Sequence, residues 1–253
     1  MSKDVLLDFY YKTRRVPILS LDFNALSNVL PKVYINSYET IQLPKPNAEF
    51  KIKDLQEVML KRRSVRRFLN EPINLETLST LLYYTTGVNG YINAYGYENF
   101  PKRIYPSAGG LGEIEVYLLS SNVNGLKKFN VYHYNALHHT LENINNNEEE
   151  GKLLYENTLS AMPVNETHPA LVTLITAYAG KMIEKYKERG ARFVFIDAGI
   201  VVENFYLVAT ALGLGIVALG GISDEIVEKV LRIDPSLELD IPILGMAIGV
   251  PGE

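Results

Sequence analysis

The spacing of apolar and charged residues along the chain predicts five helices. In the first two, apolar side chains recur three to four positions apart, which is the period of a helix with one buried face. Asn74 and Ser223 each precede a helical segment and are suitable N-caps, while Gly213 follows the longest segment and can end it in the left-handed conformation. The predicted helices begin after Asp54, after Asn74, near Lys181, near Arg192 and after Ser223.

Short apolar runs predict the strands. In residues 113–118, apolar side chains alternate with Glu113, Glu115 and Tyr117, which predicts a half-buried strand. Asn124-Gly125 then offers a hairpin turn. The other predicted strands are 129–134, 171–178, 216–219 and 241–248. Because strands occur both as a hairpin and separated by helices, we expect a mixed sheet flanked by helices, which is an α+β fold.

The remaining segments are predicted to be irregular. Residues 1–50 contain four prolines and no long periodic segment, so we expect an N-terminal arm, with residues 51–253 forming a single domain. Residues 83–105 are rich in tyrosine and punctuated by glycine, which predicts a long loop or a loosely helical region. The run ENINNNEEE at 142–150 predicts a solvated loop.

Composition narrows the class of protein. The chain has 253 residues, of which 47% are hydrophobic and 21% charged, so it can bury a core and is not disordered, collagen-like or coiled-coil. The net charge of −4 makes nucleic-acid binding by counterion release improbable. Cysteine is absent, which excludes disulfides, thiolate metal sites, iron–sulfur clusters and thiol catalysis. Any redox chemistry would therefore need a bound cofactor to carry the electrons.

Neither the N-terminus nor the most apolar stretch of the chain indicates a membrane protein. The N-terminal residues lack the apolar core of a signal peptide. Residues 205–222 are eighteen uncharged residues, the lower limit for a spanning helix, but they include four glycines that indicate a helix end, a strand and a turn. We therefore expect a cytoplasmic protein that does not contact the membrane.

The highest local charge lies in residues 51–67, which hold seven basic and two acidic side chains. Its centre, KRRSVRRF at 61–68, can be a solvated helix end whose cations complement the helix dipole. It can also bind one phosphorylated small ligand, because guanidinium groups hold phosphate oxygens bidentately and Ser64 adds a hydroxyl. A polymer backbone is a less suitable partner, since the rest of the chain is not basic.

Two short runs of small residues are candidate ligand contacts: YPSAGG at 105–110 and ALGGIS at 218–223. Both can be ordinary tight turns. Small residues also let the backbone lie close to a flat ligand; Ser107 would add a hydroxyl, and Gly220-Gly221 would present backbone N–H groups. Neither run has the spacing of a phosphate loop or of a dinucleotide fingerprint.

Other catalytic patterns are absent or weak. The chain has no G-x-S-x-G and no H-E-x-x-H motif, and His133, His138 and His139 lack a carboxylate at ligand spacing, so no metal site is expected. Five tyrosines either line a cleft for a small planar substrate or form an aromatic layer over the core. They are Tyr83, Tyr84, Tyr91, Tyr95 and Tyr97.

Taken in this order, the segments resemble the FMN-dependent nitroreductase superfamily, and within it the SagB/ThcOx-type (McbC-like) dehydrogenase branch. The resemblance covers nearly the whole chain, and the lead-in PKVYINSYETIQLP at 31–44 also looks like that branch. The segments that carry it are RRSVRRF (62–68), RIYPSAGGLGEIEVYLL (103–119), VYHYNALHHTLENI (131–144), IDAGIVVENFYLVATALGLG (196–215) and VALGGISDE (217–225).

The resemblance implies an intertwined homodimer of α+β protomers, each with a mainly antiparallel sheet, that binds two FMN molecules at the dimer interface. For the phosphate, ribityl and pyrimidine contacts the matching residues are Arg62, Arg63, Ser64 and Arg66. For the turn that packs along the flavin they are Pro106, Ser107, Ala108 and Gly109. Leu219, Gly220 and Gly221 match the segment whose backbone N–H approaches flavin N5, and Asn204 matches a polar position in the long helix.

Two positions depart from the family pattern. Many members have a basic residue after the final glycine, whereas this chain ends Gly249-Val250-Pro251-Gly252-Glu253, so the phosphate charge must be met by the arginines near Ser64 or by another cation. Azoline-oxidising members carry a Lys-Tyr pair shortly before the Asp-Ala-Gly helix, where this chain reads GARF at 190–193. That difference argues against oxidation of thiazoline or oxazoline rings in a peptide.

These features favour an FMN-dependent oxidoreductase in which NADH or NADPH delivers hydride to flavin N5 and an electron-poor acceptor, such as a nitroaromatic or a quinone, then takes it. No side chain need act as a nucleophile, and the protein orients the reactants and stabilises charge. The alternatives are an azoline dehydrogenase that works with a peptide-modifying partner protein, a flavin-binding module without turnover, and a nucleic-acid binder that uses the basic cluster.

Overall fold

A seven-stranded antiparallel sheet organises the protein, as seen in a computed structural model that describes residues 2–14, 29–47, 54–162 and 167–252. In chain order the strands are β1 (Glu39–Gln42), β2 (Val88–Ala94), β3 (Tyr97–Arg103), β4 (Ile114–Ser120), β5 (Val131–Asn135), β6 (Thr140–Asn145), β7 (Leu171–Tyr178), β8 (Gly215–Leu219) and β9 (Asp240–Gly249). The large sheet has the order β1-β6-β5-β4-β7-β9-β8, and β2 pairs only with β3. Its described strand pairs are all antiparallel, and the isolated bridges Ser64–Ile216 and Ile73–Val123 are parallel.

The described residues form eight helices, five of which lie where the sequence predicts. They are α1 (Ser2–Lys12), α2 (Leu55–Lys61), α3 (Leu75–Thr86), α4 (Glu148–Ser160), α5 (Gly180–Tyr186), α6 (Gly190–Ala211), α7 (Asp224–Leu231) and α8 (Pro235–Glu238). The Asn74 side chain accepts the Thr77 N–H at 2.7 Å, and the Ser223 hydroxyl accepts the Ile226 N–H at 3.4 Å. Gly213 has φ +74°, so the left-handed stop after α6 is also confirmed.

Helices cover both faces of the sheet, and β4 shows how this buries it. Val116 and Leu118 point into a core shared with α3 and α6, while Tyr117 and Leu119 point into a second core shared with α4 and α7. The predicted α+β class with a mainly antiparallel sheet flanked by helices is confirmed. The prediction that β4 is half-buried is wrong, because every residue of the strand is buried.

Two segments predicted to be irregular are regular. Residues 142–145 belong to β6, and α4 follows with Asn147 as its N-cap, so the predicted solvated loop at 142–150 is wrong. Within 83–105, α3 continues to Thr86, and the rest forms the β2–β3 hairpin. Tyr95 and Gly96, with φ +54° and +78°, make the left-handed turn between these strands.

The N-terminal arm contains structure of its own. The helix α1 was not predicted; it docks against the start of α6, where the Arg192 guanidinium donates to the Thr13 hydroxyl at 2.6 Å and to the Tyr10 carbonyl at 2.8 Å. Further along, β1 adds an edge strand to the sheet by pairing with β6. The division of the chain at residue 50 stays a prediction.

The apolar stretch 205–222 forms the end of α6, the strand β8 and a turn, as its glycines predict. Among the described residues, one helical stretch, 180–211, is long and apolar enough to span a membrane by length and composition. Its most apolar window is 44% buried within this chain, and it includes the break between α5 and α6.

At the break between α5 and α6, the backbone of Gly190 packs closely against that of Met182. This contact predicts the effect of a substitution on stability. A Cβ at Gly190 would overlap the backbone carbonyl group of Met182, whereas a Cβ at Gly180 would lie 3.4 Å from its nearest neighbour, the Glu238 carbonyl oxygen. We expect Gly190→Ala to lower the free energy of unfolding by about 3 kcal/mol, because backbone atoms must move to admit the methyl group. The matched control Gly180→Ala should change it by less than about 0.5 kcal/mol in urea titrations. Equal stability of the two variants would contradict the packing argument.

Candidate functional site

The arginine-rich segment after α2 is tied to the sheet. It runs extended beside β8, where the Val65 N–H donates to the Ile216 carbonyl at 2.8 Å. The hydroxyls of Ser64 and Tyr206 lie 3.0 Å apart, and the Tyr206 hydroxyl also accepts the Ala218 N–H at 2.9 Å. Tyr206 can therefore donate to Ser64, which leaves the Ser64 O–H available to a ligand. Ser64 is therefore fixed beside β8.

Three guanidinium groups surround Ser64 without a carboxylate partner among the residues that the structure describes. Arg62 lies over the Tyr206 ring, 5.4 Å from its centroid, and Arg66 makes one weak hydrogen bond of 3.5 Å to the Ser64 carbonyl. Arg63 and Arg66 are exposed. Such groups can bind phosphate oxygens without first breaking an ion pair. The cluster that the sequence predicts is therefore free to bind an anion such as a phosphate group.

The end of the chain lies alongside this cluster. The Leu69 N–H donates to the Val250 carbonyl at 2.9 Å, and the Gly252 N–H donates to the Arg67 carbonyl at 2.8 Å. The resemblance implies a basic residue at this position in many relatives, and the described residues 250–252 contribute none here. Among the described residues beside Ser64, the positive charge available to a phosphate is that of Arg62, Arg63 and Arg66.

The backbone after β8 is open to a ligand. Gly220 and Gly221 are both exposed, and a Cβ at Gly220 would meet no atom within 4 Å. Neither N–H donates a hydrogen bond within the part of the chain that the structure describes. Leu219, by contrast, is buried and belongs to β8. Two free N–H groups beside open space can donate to a flat ligand's edge, as the sequence predicts for this pair.

The turn at 106–110 is a tight, glycine-dependent turn. Gly109 and Gly110 have φ +65° and +68°, values that residues other than glycine rarely adopt. The Ser107 hydroxyl accepts the Gly112 N–H at 2.9 Å, and the Asp197 carboxylate of α6 accepts the Ala108 N–H at 2.7 Å. Both readings of this run, a turn and a ligand contact, are compatible with that geometry.

The structure brings the predicted residues together as two groups rather than one. The arginine segment and Gly220-Gly221 join α6 through Tyr206, and the 106–110 turn joins it through Asp197. Nine helical residues separate these two, which places them about 14 Å apart along the axis and on opposite faces of α6. Asn204 donates to the Thr85 carbonyl at the end of α3, at 3.3 Å. Through these two contacts, the arginine segment and the 106–110 turn attach to opposite faces of α6.

Sequence reasoning missed two residues beside the turn, Lys185 and Tyr186. A Cβ at Gly109 would collide with the Lys185 ammonium group and would lie 2.6 Å from the Tyr186 hydroxyl. Lys185 also donates to the Tyr95 hydroxyl, which in turn donates to the Gly109 carbonyl. The expectation that no Lys-Tyr pair precedes the Asp-Ala-Gly helix is wrong, since this pair ends α5 four residues before α6 begins. The adjacent letters KY at 185–186 were the available signal.

Buried titratable groups lie directly behind the turn. Burial, together with the negative charge of Asp197, raises the pKa of Glu113 to about 9. Burial also raises the pKa of Asp197, and it lowers the pKa of Lys181 to about 8. Both glutamates of the alternating pattern at 113–118 were expected at the surface, but Glu113 and Glu115 are 0% and 2% exposed. Alternation alone could not reveal them, because it does not show which face is covered.

A cavity of about 310 Å³ opens between the β2–β3 hairpin and the turn. It is lined by Ile92, Pro101, Lys102, Arg103, Ile104, Tyr105, Pro106, Ser107 and Gly110. Of the five tyrosines proposed for a cleft, Tyr91 and Tyr97 are exposed on the hairpin, and Tyr95 contacts Gly109. Within the described ranges, no group of three or more histidine, aspartate and glutamate side chains is placed to hold a metal ion.

Comparison with known proteins identifies the family. The model of the nitroreductase family matches residues 59–250. The chain is 32% identical over 211 residues to the Methanocaldococcus jannaschii protein MJ1384, which is named as a nitroreductase; the match covers 83% of this chain and 97% of that protein. It is 33% identical over 136 residues to the microcin B17-processing protein McbC of Escherichia coli, covering 53% of this chain and 49% of McbC. The chain thus spans about half the length of McbC.

The fold agrees with these matches. The Escherichia coli microcin synthetase McbBCD complex, solved with truncated pro-MccB17 bound, contains a chain that superposes with a TM-score of 0.64 at 21% identity. The superposition covers 100% of this chain and 92% of that one. Together with the fold and the geometry of the site, the family match establishes that this chain belongs to the nitroreductase family of oxidoreductases.

Proposed function

We propose that this protein is an FMN-dependent oxidoreductase that passes hydride from NADH or NADPH to a small, planar, electron-poor acceptor and works as a homodimer. The chain has no cysteine, and its described residues form no metal-binding group, so the electrons need a bound carrier. Bound FMN would be that carrier, because its atom N5 accepts hydride. The protein's own residues would bind the phosphate, expose backbone donors to the ring edge and bury the ring between protomers.

One observation carries the proposal: guanidinium groups without a carboxylate partner among the described residues lie next to Ser64 in the chain, and Tyr206 connects Ser64 directly to β8. The arginines provide positive charge for a phosphate, and the strand leads to two free backbone N–H groups at Gly220-Gly221. A phosphorylated, planar redox cofactor needs positive charge for its phosphate and hydrogen-bond donors for its ring. The arginines near Ser64 and the backbone at Gly220-Gly221 offer these, and β8 connects them.

The separation of the two residue groups supports the homodimer. Within one chain, Tyr206 and Asp197 face opposite sides of α6, so the turn and the arginine segment of the same protomer do not face each other. α6 also exposes Phe195 and Ile196, at 54% and 55% of their surface. Burying apolar side chains of this kind against a second copy would be favourable, and it would let the turn of one protomer complete the site of the other.

The purified protein tests the proposal directly. We expect a yellow preparation, release of FMN on denaturation, and oxidation of NADH or NADPH that depends on an added quinone or nitroaromatic acceptor. A colourless protein that takes up no added FMN would refute the proposal. Bound FMN without any stimulated oxidation of a nicotinamide would instead identify a flavin-binding module without turnover.

A second candidate, an azoline dehydrogenase acting on a modified peptide, is favoured by Lys185 and Tyr186. Oxidation of an azoline ring removes a proton as well as a hydride, so the site needs a base close to the hydride acceptor. Lys185 is buried against the turn, where it contacts the Tyr95 hydroxyl. The relative McbC is named for processing microcin B17, which also makes a peptide-modifying partner protein a reasonable expectation.

Substituting this lysine separates the two candidates. If the second candidate is right, the wild-type protein removes two hydrogens from a thiazoline-containing peptide, measured by mass spectrometry. Lys185→Met should then lower the rate about 100-fold, because the base is lost. The control Lys187→Met changes an exposed lysine two positions away. If the wild-type protein leaves the peptide unchanged while it oxidises a nicotinamide with a quinone, the dehydrogenase candidate is eliminated.

A further inference from the structure

Glu113 and Asp197 form a buried carboxyl pair behind the 106–110 turn, and the turn is attached to this pair by one hydrogen bond. We propose that Glu113 stays protonated so that Asp197 can remain ionised and hold the Ala108 N–H, which makes the pair a positioning device for the turn. The consequence for flavin binding rests on the proposed function; the coupling between Glu113, Asp197 and Ala108 does not.

The geometry places the three groups in sequence. Ala108 lies in the turn, and Asp197, 3% exposed, accepts its N–H at 2.7 Å. Glu113 lies three residues after the turn, is 0% exposed, and has both carboxyl oxygens without a hydrogen-bond partner among the described residues. A buried carboxylate left in this state would be costly, whereas a neutral carboxylic acid carries an O–H that the neighbouring carboxylate can accept.

The surroundings of Glu113 and Asp197 favour a single negative charge on the two carboxyl groups over a charge on each. Burial and Asp197 both favour the neutral form of Glu113, and two ionised carboxylates in one buried site would repel each other. Charged and titratable groups that act on the pair, or on its immediate neighbours, come from several elements. They are Arg103 of β3, Tyr105 of the turn segment, Glu115 of β4, Lys181 of α5 and, beyond Lys181, Asp240 of β9.

Protonation of Glu113 therefore controls the hydrogen bond that holds the turn. While Glu113 is neutral, Asp197 carries the negative charge and makes a charge-assisted bond to the Ala108 N–H. When Glu113 loses its proton in alkali, repulsion raises the cost of keeping Asp197 ionised against the turn, and the bond weakens. The turn is thus held firmly at neutral pH and loosened as Glu113 ionises.

The Ala108 amide resonance tests this coupling without any flavin. In wild-type protein labelled with ¹⁵N-alanine, we expect the Ala108 amide shift to titrate with an apparent pKa of about 9. In Glu113→Gln, which keeps a neutral side chain of the same size, this titration should disappear. The control Glu98→Gln removes an exposed carboxylate of β3 and should leave the wild-type profile unchanged. An Ala108 titration that persists in Glu113→Gln would overturn the proposal.

Flavin affinity tests the consequence for the site. Between about pH 7 and about pH 9.5, we expect the dissociation constant of FMN, followed by fluorescence quenching, to rise about tenfold in wild-type protein and less than about twofold in Glu113→Gln. Lys181 and FMN itself also titrate in alkali, but both are present in each variant, so the difference reports Glu113. Asp197→Asn should weaken FMN binding at every pH, because a neutral acceptor holds the turn less firmly.

The outcomes distinguish this proposal from the proposed function. If Ala108 titrates with Glu113 but the protein takes up no FMN, the positioning pair is supported and the flavin function fails. If FMN binds but its pH dependence and the Ala108 titration are the same in Glu113→Gln as in the wild type, the function stands and the positioning pair is refuted.

Discussion

Replacing His133 with leucine is expected to lower the free energy of unfolding by about 3–5 kcal/mol, one of the two largest effects that the structure predicts. The His133 ring is fully buried between two carboxylates, with Nε2 3.0 Å from Glu115 and Nδ1 3.0 Å from Glu142. Because carboxylate oxygens only accept, both ring nitrogens must donate, and the imidazole is positively charged. Leucine would leave two buried negative charges without their shared cation.

The same cluster attaches the N-terminal arm, which adds to the expected loss. The backbone N–H of Lys32 donates to Glu115 at 3.3 Å, and that of Tyr34 donates to Glu142 at 3.0 Å. Urea denaturation of His133→Leu should be compared with that of His138→Leu, the same substitution at an exposed position. The control should lose less than about 0.5 kcal/mol. A loss below about 1 kcal/mol in His133→Leu would contradict the charged-cluster interpretation.

Two further measurements separate charge from packing. Adding Glu115→Gln and Glu142→Gln to His133→Leu should restore part of the lost stability, because the uncompensated charges are removed. Burial alone would lower the pKa of His133, but the two carboxylates raise it above 6.5. The stabilisation from the charged ring is therefore complete below about pH 6.5 and is lost as pH rises through the raised pKa. His133→Leu should lack that alkaline loss.

On the proposed function, the second large effect is expected for Arg66→Ala, which should weaken FMN binding about 10- to 100-fold. This is the range for loss of a charge-assisted contact to a phosphate. Arg66 is exposed beside Ser64 and pairs with no carboxylate among the described residues, so its charge is available to a ligand. Ser107→Ala should have a much smaller effect, since Ser107 is neutral and already accepts the Gly112 N–H.

A matched control excludes a general effect of surface charge. Lys61→Ala removes one positive charge from the same segment, but Lys61 already pairs with Glu57 within α2. We expect Lys61→Ala to change the dissociation constant of FMN by less than about threefold in fluorescence titrations at constant salt. Equal FMN retention in Arg66→Ala and Ser107→Ala would remove the arginine segment from the site.

Local features of the fold could be predicted because they depend on neighbouring residues. Asn74 and Ser223 cap helices through their own side chains, and Gly213 ends α6 because glycine tolerates a positive φ. The arginine segment and the Gly220-Gly221 pair were found in the same way, since charge and small size are visible in a short stretch of chain. The family resemblance, carried by these stretches in their order, is confirmed by the family match.

The errors concern features that depend on distant residues. The polar run 142–150 was predicted as a loop, but Glu142 and Asn145 are buried because His133 and α7 provide their hydrogen-bond partners. The alternation at Glu113 and Glu115 was predicted to mark a solvent-facing side, but helices cover both faces of β4. Lys185 and Tyr186 were overlooked because their proximity to Gly109 arises from the meeting of α5 with the turn.

The sequence by itself determined five of the eight helices and five of the nine strands in the described residues, the α+β class, the family and a phosphate-compatible arginine segment, because each rests on local periodicity, charge or a short motif. Only the tertiary structure decided that Glu113 and Glu115 are buried, that Asp197 holds the turn, and that the turn and the arginine segment lie on opposite faces of α6. These features depend on which surfaces come together when the chain packs, and burial then changes both the charge state and the partners of each polar group.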